Sequence, residues 1–517
     1  MFMKKIHAHM QGAQPCGQSG SQPGRKPGSQ PDSPLSGQPN SQMGSKITQL
    51  ESPHGAARLC MVAVMFVSTL NASFMQSLMN VALDRVATDF SITLSQANWV
   101  VLGYAIVTGS VITTVASLIA RYGIRRVMFV SYVAAVAGSL LGFVAWSFPV
   151  MIVARLIQAI TTGLTFPLVN VALLRLSPKG RAGVLLSLNS GVIGVGLAVA
   201  PLISGLILTY FGLHALFLLP AVVSAILLIC AHFALHNLTP RIEKKIDLIS
   251  VVFSTCALAT FMYGLNDVTR NLLPSLALML FSVVLAMFFV FRQRHLADPL
   301  LDLRPLRVRA FALGEVLVIV SYMGSVYLSL LAPLYLEGSA SYTPFMAGCL
   351  LALPILCYGI FCFASGKILG KHGVSPLVPC GFAIMILGFG ATFFAAQSRL
   401  VTVFLVCVAV AYGGYGVMYP SIKSVDLEVI PHAEASSGSS IHSTFVQIAG
   451  SVSSALFVGI MSSDVTSSMA AGSTKAAAYA FGFSHTLLIA LGILIAGFLL
   501  SLVYVRAVAK TNPTSPK

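Results

Sequence analysis

In the stretch MIVARLIQAITTGLTFPLVN, Met151 to Asn170, one arginine stands in an otherwise uncharged run long enough to cross a bilayer. The Arg155 guanidinium is permanently charged and offers five N–H donors, so it can hold an acceptor oxygen or bias the charge of a nearby carboxyl. Gln158 is three residues on and shares its helix face. Glu315, a few residues into another apolar run, is the clearest carboxyl inside one and a candidate to load and release a proton. His442, in a third run, carries the side chain whose ordinary titration lies nearest physiological pH and is the runner-up for that role. Each has a plainer reading: an arginine that bonds a carbonyl or snorkels, and a carboxylate solvated at the interface. Ionisable groups inside membrane spans are costly, and by default they mark a pathway or a partner.

A membrane frame must position these groups. Of the 517 residues 56% are hydrophobic and 9% charged, against roughly 25% charged in soluble domains. The net charge of +16 could suggest nucleic-acid binding, but that needs a basic patch on an exposed fold. Here the basic residues fall in the tails and in short loops between apolar runs, so the charge is topological and no nucleic-acid partner is expected. The nine cysteines are scattered, mostly inside apolar runs, without a CxxC pair. They read as small packing residues, and neither a metal site nor a cofactor is expected. The sequence has no G-x-x-x-x-G-K-[ST] nucleotide loop, which argues against an ATP-driven machine or an enzyme.

Breaks at charges and turn residues place helices near 59–83, 97–120, 127–147, 149–174, 182–209, 213–235, 247–267, 273–291, 311–334, 344–368, 375–397, 400–422, 434–461 and 481–505. The expected fold is thus an all-α membrane protein with fourteen spans. Alternate loops hold seventeen Lys and Arg against four in the intervening ones, which puts both tails in the cytoplasm. In this census Arg155 is the one basic residue outside tails and loops. The divisions expected are a disordered cytoplasmic tail over 1–57, rich in Ser, Gly, Pro and Gln, a six-helix bundle over 58–236, a two-helix insertion over 237–295, a second six-helix bundle over 296–506, and a tail over 507–517.

Two loops repeat one spacing. ASLIARYGIRRVMF, Ala116 to Phe129, has Gly123 where the chain must turn sharply, with Arg121, Arg125 and Arg126 at the surface. GKILGKHGVSP places Gly366 and Gly373 at the same separation. Internal repeats are what many secondary transporters are built from. Further on, GVGLAVAPLISG carries Gly196, Ala200, Pro201 and Gly205, small residues that let helices approach closely around a proline bend.

Taken together, these segments resemble the major facilitator superfamily. The two loops are similar to the copies of its G-x-L-a-D-R-x-G-R-R gating loop, with Ala120 and Gly370 at the acidic position. Arg155, Gln158 and Ala159 resemble its R-x-x-Q-G motif on the fourth helix, and the proline segment resembles the antiporter signature G-x-x-x-G-P-x-x-G-G. Two extra spans followed by DPLLDLRPLRVRAF, with NWVVLGYAI and SSIHSTFVQIAGS, point to the fourteen-span drug:proton antiporters of the EmrB/QacA type. The resemblance covers about residues 58–506 and implies two six-helix bundles rocking around a midplane cavity, with Asn71, Tyr104, Arg155, Gln158 and Gln447 lining one site. The first helix departs from the family's L-D-x-T-I-V-N-V-A-L-P: it reads LNASFMQSLMNVALD, with Asn71 in place of the membrane acid. An amide cannot neutralise a cationic drug.

The expected function is secondary active export of a small amphipathic or apolar molecule in exchange for protons, across the inner membrane of a bacterium. Glu315 would carry the proton and Arg155 would bias its charge. A dedicated exporter of one metabolite, such as a siderophore or an antibiotic, is the alternative in the same fold. A transport-inactive sensor or partner protein is the alternative from another class, motivated by the missing acids. The expected partners are the substrate, the lipid bilayer and protons; a periplasmic adaptor leaves no mark in these residues.

Overall fold

A computed structural model of the chain describes residues 55–511 apart from 80, 81, 93, 178–181, 237, 239–246, 269–270, 297–298 and 399. The tail up to residue 54, the basic loops at 178–181 and 239–246, and residues 512–517 therefore lie outside the described residues, with the expectations placed on them.

Among the described residues every regular element is helical. Thirteen helices are long and apolar enough to cross a membrane. One of them, Trp99–Phe143, has 45 residues, which at ~1.5 Å per residue is twice the thickness of a hydrocarbon core. Gly123 breaks it at φ +79°, a left-handed angle that other residues adopt only with strain. Two spans result, α2 before the break and α3 after it, which brings the number of crossings to the expected fourteen.

The others are α1 (Gly55–Ser77), α4 (Phe148–Leu176), α5 (Ala182–Phe211), α6 (Leu218–Ala234), α7 (Leu248–Asp267), α8 (Leu272–His295), α9 (Arg309–Gly338), α10 (Pro344–His372), α11 (Val374–Ser398), α12 (Val401–Val429), α13 (Ala435–Ser453) and α14 (Lys475–Thr511). Beyond Ser453, α13 continues through a π turn, Ser454–Val458, into Gly459–Ala470.

Gly373, between α10 and α11, repeats the conformation of Gly123 at φ +70°. The two gating-loop copies thus share one backbone device. Glycines also set the packing inside each half. A Cβ at Gly138 would lie 2.9 Å from the Ala154 carbonyl, so α3 and α4 touch through backbone; Gly381 does the same for α11 and α12, 2.9 Å from the Gly414 carbonyl.

Helix α8 is the least enclosed of the described spans, with 17% of its apolar window buried, and α7 has 33%. They pack on each other, and α7 leans on α2 through Thr113–Ser254 (3.2 Å) and a Trp99–Tyr263 stack. Arg292 clamps Asp247 at their shared end with bonds of 2.7 and 3.0 Å and holds its carboxyl down at about 2.

The largest departures from the expected boundaries are in α1, α12, α13 and α14, the last running from Lys475 to Thr511. Helix α1 begins at Gly55, inside the expected tail, and stops at Ser77, after which Leu83–Asp89 forms a separate short helix. Helix α13 and its continuation run to Ala470. Helix α12 extends to Val429, which takes Lys423 out of the loop census and encloses it at 2% exposure. Arg155 is therefore not the one basic residue inside a span. Lys423 reads as a stop because a lysine in lipid is expensive, and the buried carboxyls beside it are what make its position tolerable.

Candidate functional site

In the first half the site is built around Arg155, fully buried on α4. Its guanidinium lies over the Tyr104 ring of α2 at 4.1 Å, a cation–π contact that strengthens when water is excluded. One terminal nitrogen donates to the Met75 carbonyl of α1 (3.0 Å) and to Gln158 Oε1 (2.9 Å). Gln158 in turn donates to Ser139 of α3 at 2.8 Å, and the Tyr104 hydroxyl pairs with Thr162. Four helices thus fix one planar cation. Arg155 Nε and Nη2 find no acceptor among the described residues, so two donor nitrogens remain open.

The structure brings Tyr104, Arg155 and Gln158 together, but it does not bring Asn71 to them. The Asn71 amide turns to α6 and donates to Ser224 at 2.8 Å. Gln447 approaches from α13, donating to the Ala105 carbonyl at 3.4 Å, next to Tyr104 in the chain.

A second cluster lies in the other half. Glu315 of α9 is 1% exposed and its Oε1 meets His442 Nδ1 of α13 at 3.2 Å. The far nitrogen of His442 is 3.3 Å from the Tyr419 hydroxyl of α12. Tyr419 closes a run of rings: Tyr358 stacks on Tyr415 at 4.9 Å and Tyr415 on Tyr419 at 5.0 Å. One helical turn further, Lys423 and Asp426 are both buried, and the Tyr504 hydroxyl of α14 donates to Asp426 at 2.8 Å.

Sequence reasoning missed the tyrosines, Lys423 and Asp426. The signal was there: 412, 415, 419, 423 and 426 are spaced by three and four, a polar stripe on one helix face. Arg155 and Glu315 do not touch. Arg155 lies seven residues from the start of α4 and Glu315 six from the start of α9. With one helix ascending and the other descending in a fourteen-span order, those are opposite sides of the membrane.

The gating loop makes contacts of its own. Arg125 donates to the His232 carbonyl of α6 at 3.0 Å, and Arg121 lies over the Tyr122 ring. The halves themselves meet near the C-terminal end of α4 through Asn170 to Ser439 (3.3 Å), Ser439 to the Pro167 carbonyl (3.1 Å), Ser424 to the Gly183 carbonyl (3.4 Å) and the Arg175 guanidinium to the His432 carbonyl (3.3 Å). The small residues of α5 divide by face. A Cβ on Gly196 would lie 2.7 Å from Ser73 of α1, while Ala200 is fully buried in the core shared with α1. Gly205 and Gly194 face α10, where Gly366 approaches Ser187, and Pro201 stays half-buried within the helix.

A Cβ at Gly194 would overlap the Tyr358 ring. Gly194→Ala should therefore lower the thermal stability of the purified protein by about 1–3 kcal/mol, the usual range for overpacking. Adding Tyr358→Ala should recover part of that loss; strictly additive losses would contradict the contact.

Comparison with known proteins agrees with this geometry. A family model described as Major Facilitator Superfamily matches residues 65–454. The lincomycin resistance protein LmrB of Bacillus subtilis (strain 168) is 26% identical over 426 residues, 80% of this chain and 88% of that protein. The riboflavin transporter RibZ of Clostridioides difficile (strain 630) is 23% identical over 450 residues, 86% of this chain and 96% of its own. The crystal structure of the human organic anion transporter MFSD10 (TETRAN) superposes with a TM-score of 0.61 at 14% identity, covering 86% of this chain and 99% of that one. Fourteen apolar spans, a doubled glycine turn and a family match across most of the chain lead to one conclusion: this protein is a secondary transporter, not an enzyme, and belongs to the major facilitator superfamily.

Proposed function

We propose that the chain exports a small amphipathic or apolar molecule from the cytoplasm in exchange for protons, by rocking α1–α6 against α9–α14, with α7 and α8 as a peripheral insertion. The observation that carries this reading is the enclosure of two separate ionisable sites, Arg155 with Tyr104 in one half and Glu315 with His442 in the other. Ionisable groups held this way inside a membrane are expensive without a use. The two open donors of Arg155 suit an acceptor oxygen on the substrate, and its fixed positive charge disfavours recognition of a cation. Glu315 carries the proton in this scheme. The lincomycin resistance and multidrug resistance names among the relatives support a drug-like substrate. The riboflavin transporter supports the second reading, one dedicated metabolite.

The test is a resistance panel. Overproduction in a sensitive bacterial host should raise tolerance to uncharged or acidic antibiotics more than to permanent cations. Tolerance gained only against cations would overturn the substrate assignment.

The export direction requires both tails to face the cytoplasm of a bacterial inner membrane. A cysteine introduced at Arg307, in the connector before α9, should resist an impermeant maleimide in intact cells and react in inverted vesicles. Labelling in intact cells would reverse the topology.

A further inference from the structure

We infer that Asp426 and Glu315, with Lys423, form one proton site that holds a single proton shared between the two carboxyls. The inference rests on the proton-coupled reading above and adds to it a second carboxyl and a charge-balancing cation.

The geometry begins at Gly314. A Cβ there would overlap the Asp426 carboxylate, so this glycine admits the α12 side chain directly against the α9 backbone. The next residue along α9 is Glu315. Two carboxyls from different helices are thus seated at adjacent positions, at 0% and 1% exposure. One oxygen of each, Asp426 Oδ2 and Glu315 Oε2, has no hydrogen-bond partner among the described residues. Leaving two such oxygens ionised and unsatisfied in a dry site would be the costliest arrangement available to them.

The surrounding groups set the charge count. Lys423, one turn before Asp426 on α12, is within electrostatic reach of Glu315. His442 of α13 faces Glu315, Tyr504 of α14 faces Asp426, and the Cys362 thiol of α10 lies near Lys423. With neutral His442, thiol and phenols, two carboxylates and one ammonium leave a net charge of −1. One added proton makes the cluster neutral, and the carboxyls then titrate as a coupled pair, not as separate residues. A proton released from this site leaves a buried negative charge, which gives the bundle an electrostatic reason to change state.

The experiment is infrared spectroscopy of the purified full-length protein in an ester-free detergent near neutral pH, where solvated carboxyls are ionised. The protonated-carboxyl stretch should correspond to one group in the wild type. It should be lost in Glu315→Gln and also in Asp426→Asn, because each leaves one carboxylate balanced by Lys423. It should double in Lys423→Gln and be unchanged in His442→Gln. Persistence of the band in either carboxyl variant would overturn the shared site. A band absent from wild type and appearing in His442→Gln would place the proton on the imidazole and overturn it equally. Should Lys423→Gln fail to yield monodisperse protein, the two isosteric amide variants still decide. Transport is not the readout, so a correct band pattern in a carrier indifferent to pH gradients would reject the coupling and keep the site.

Discussion

Arg155→Ala should abolish export while the protein still folds and is recovered as a monodisperse species. The substitution removes the cation over Tyr104, the bonds to Met75 and Gln158 and both open donors at once. If two charge-assisted hydrogen bonds to substrate are lost, at about 1.5–3 kcal/mol each, transport should fall by two orders of magnitude or more. The Met75 carbonyl and Gln158 also lose a partner, so some loss of thermal stability is expected. Arg155→Lys separates the roles: it keeps the charge but not the planar fork that covers the ring and presents several donors, and it should restore folding without restoring more than a small part of transport. Transport rate measured beside detergent-solubilised yield decides. Equal collapse of both in Arg155→Ala, with full transport in Arg155→Lys, would make the residue structural.

Glu315→Gln should leave substrate exchange running and uncouple it from protons. Glutamine fills the same volume and can still bond His442 Nδ1, so the contact at 3.2 Å has a neutral substitute. What it lacks is a proton to release. Counterflow, in which labelled substrate exchanges for unlabelled across the membrane, should persist within a few-fold of wild type and lose its response to an imposed pH gradient. His442→Gln should keep that response. A wild-type pH dependence in Glu315→Gln would remove this carboxyl from the coupling pathway.

The fold was legible because a membrane leaves few solutions. Apolar runs, glycine turns and the asymmetry of Arg and Lys between loops each reflect one strong cost, and they agreed on fourteen crossings. Gly123 and Gly373 were found by spacing, and both adopt the left-handed backbone that explains their type. The site was legible where a charge stood out against an uncharged background, as with Arg155 and Glu315. It was not legible where charge resembled a boundary. Lys423 and Asp426 stand at the end of an apolar run and read as the start of a loop, although the 412–426 stripe continues through them at helical spacing. Asn71 shows the converse. Its position matched the family's membrane acid, but only the structure shows the amide committed to Ser224 of α6. Which helix faces which cavity depends on pairings between distant segments, and no local pattern encodes those.

In the proposed function a proton gradient drives the substrate outward through this chain. Inverted membrane vesicles containing the overproduced protein, loaded acid inside and supplied with the antibiotic that scores in the resistance panel, test it directly. The antibiotic should accumulate above its external concentration, with proton efflux, and the accumulation should collapse on adding a protonophore; accumulation that is the same with and without the pH gradient would contradict proton-driven export.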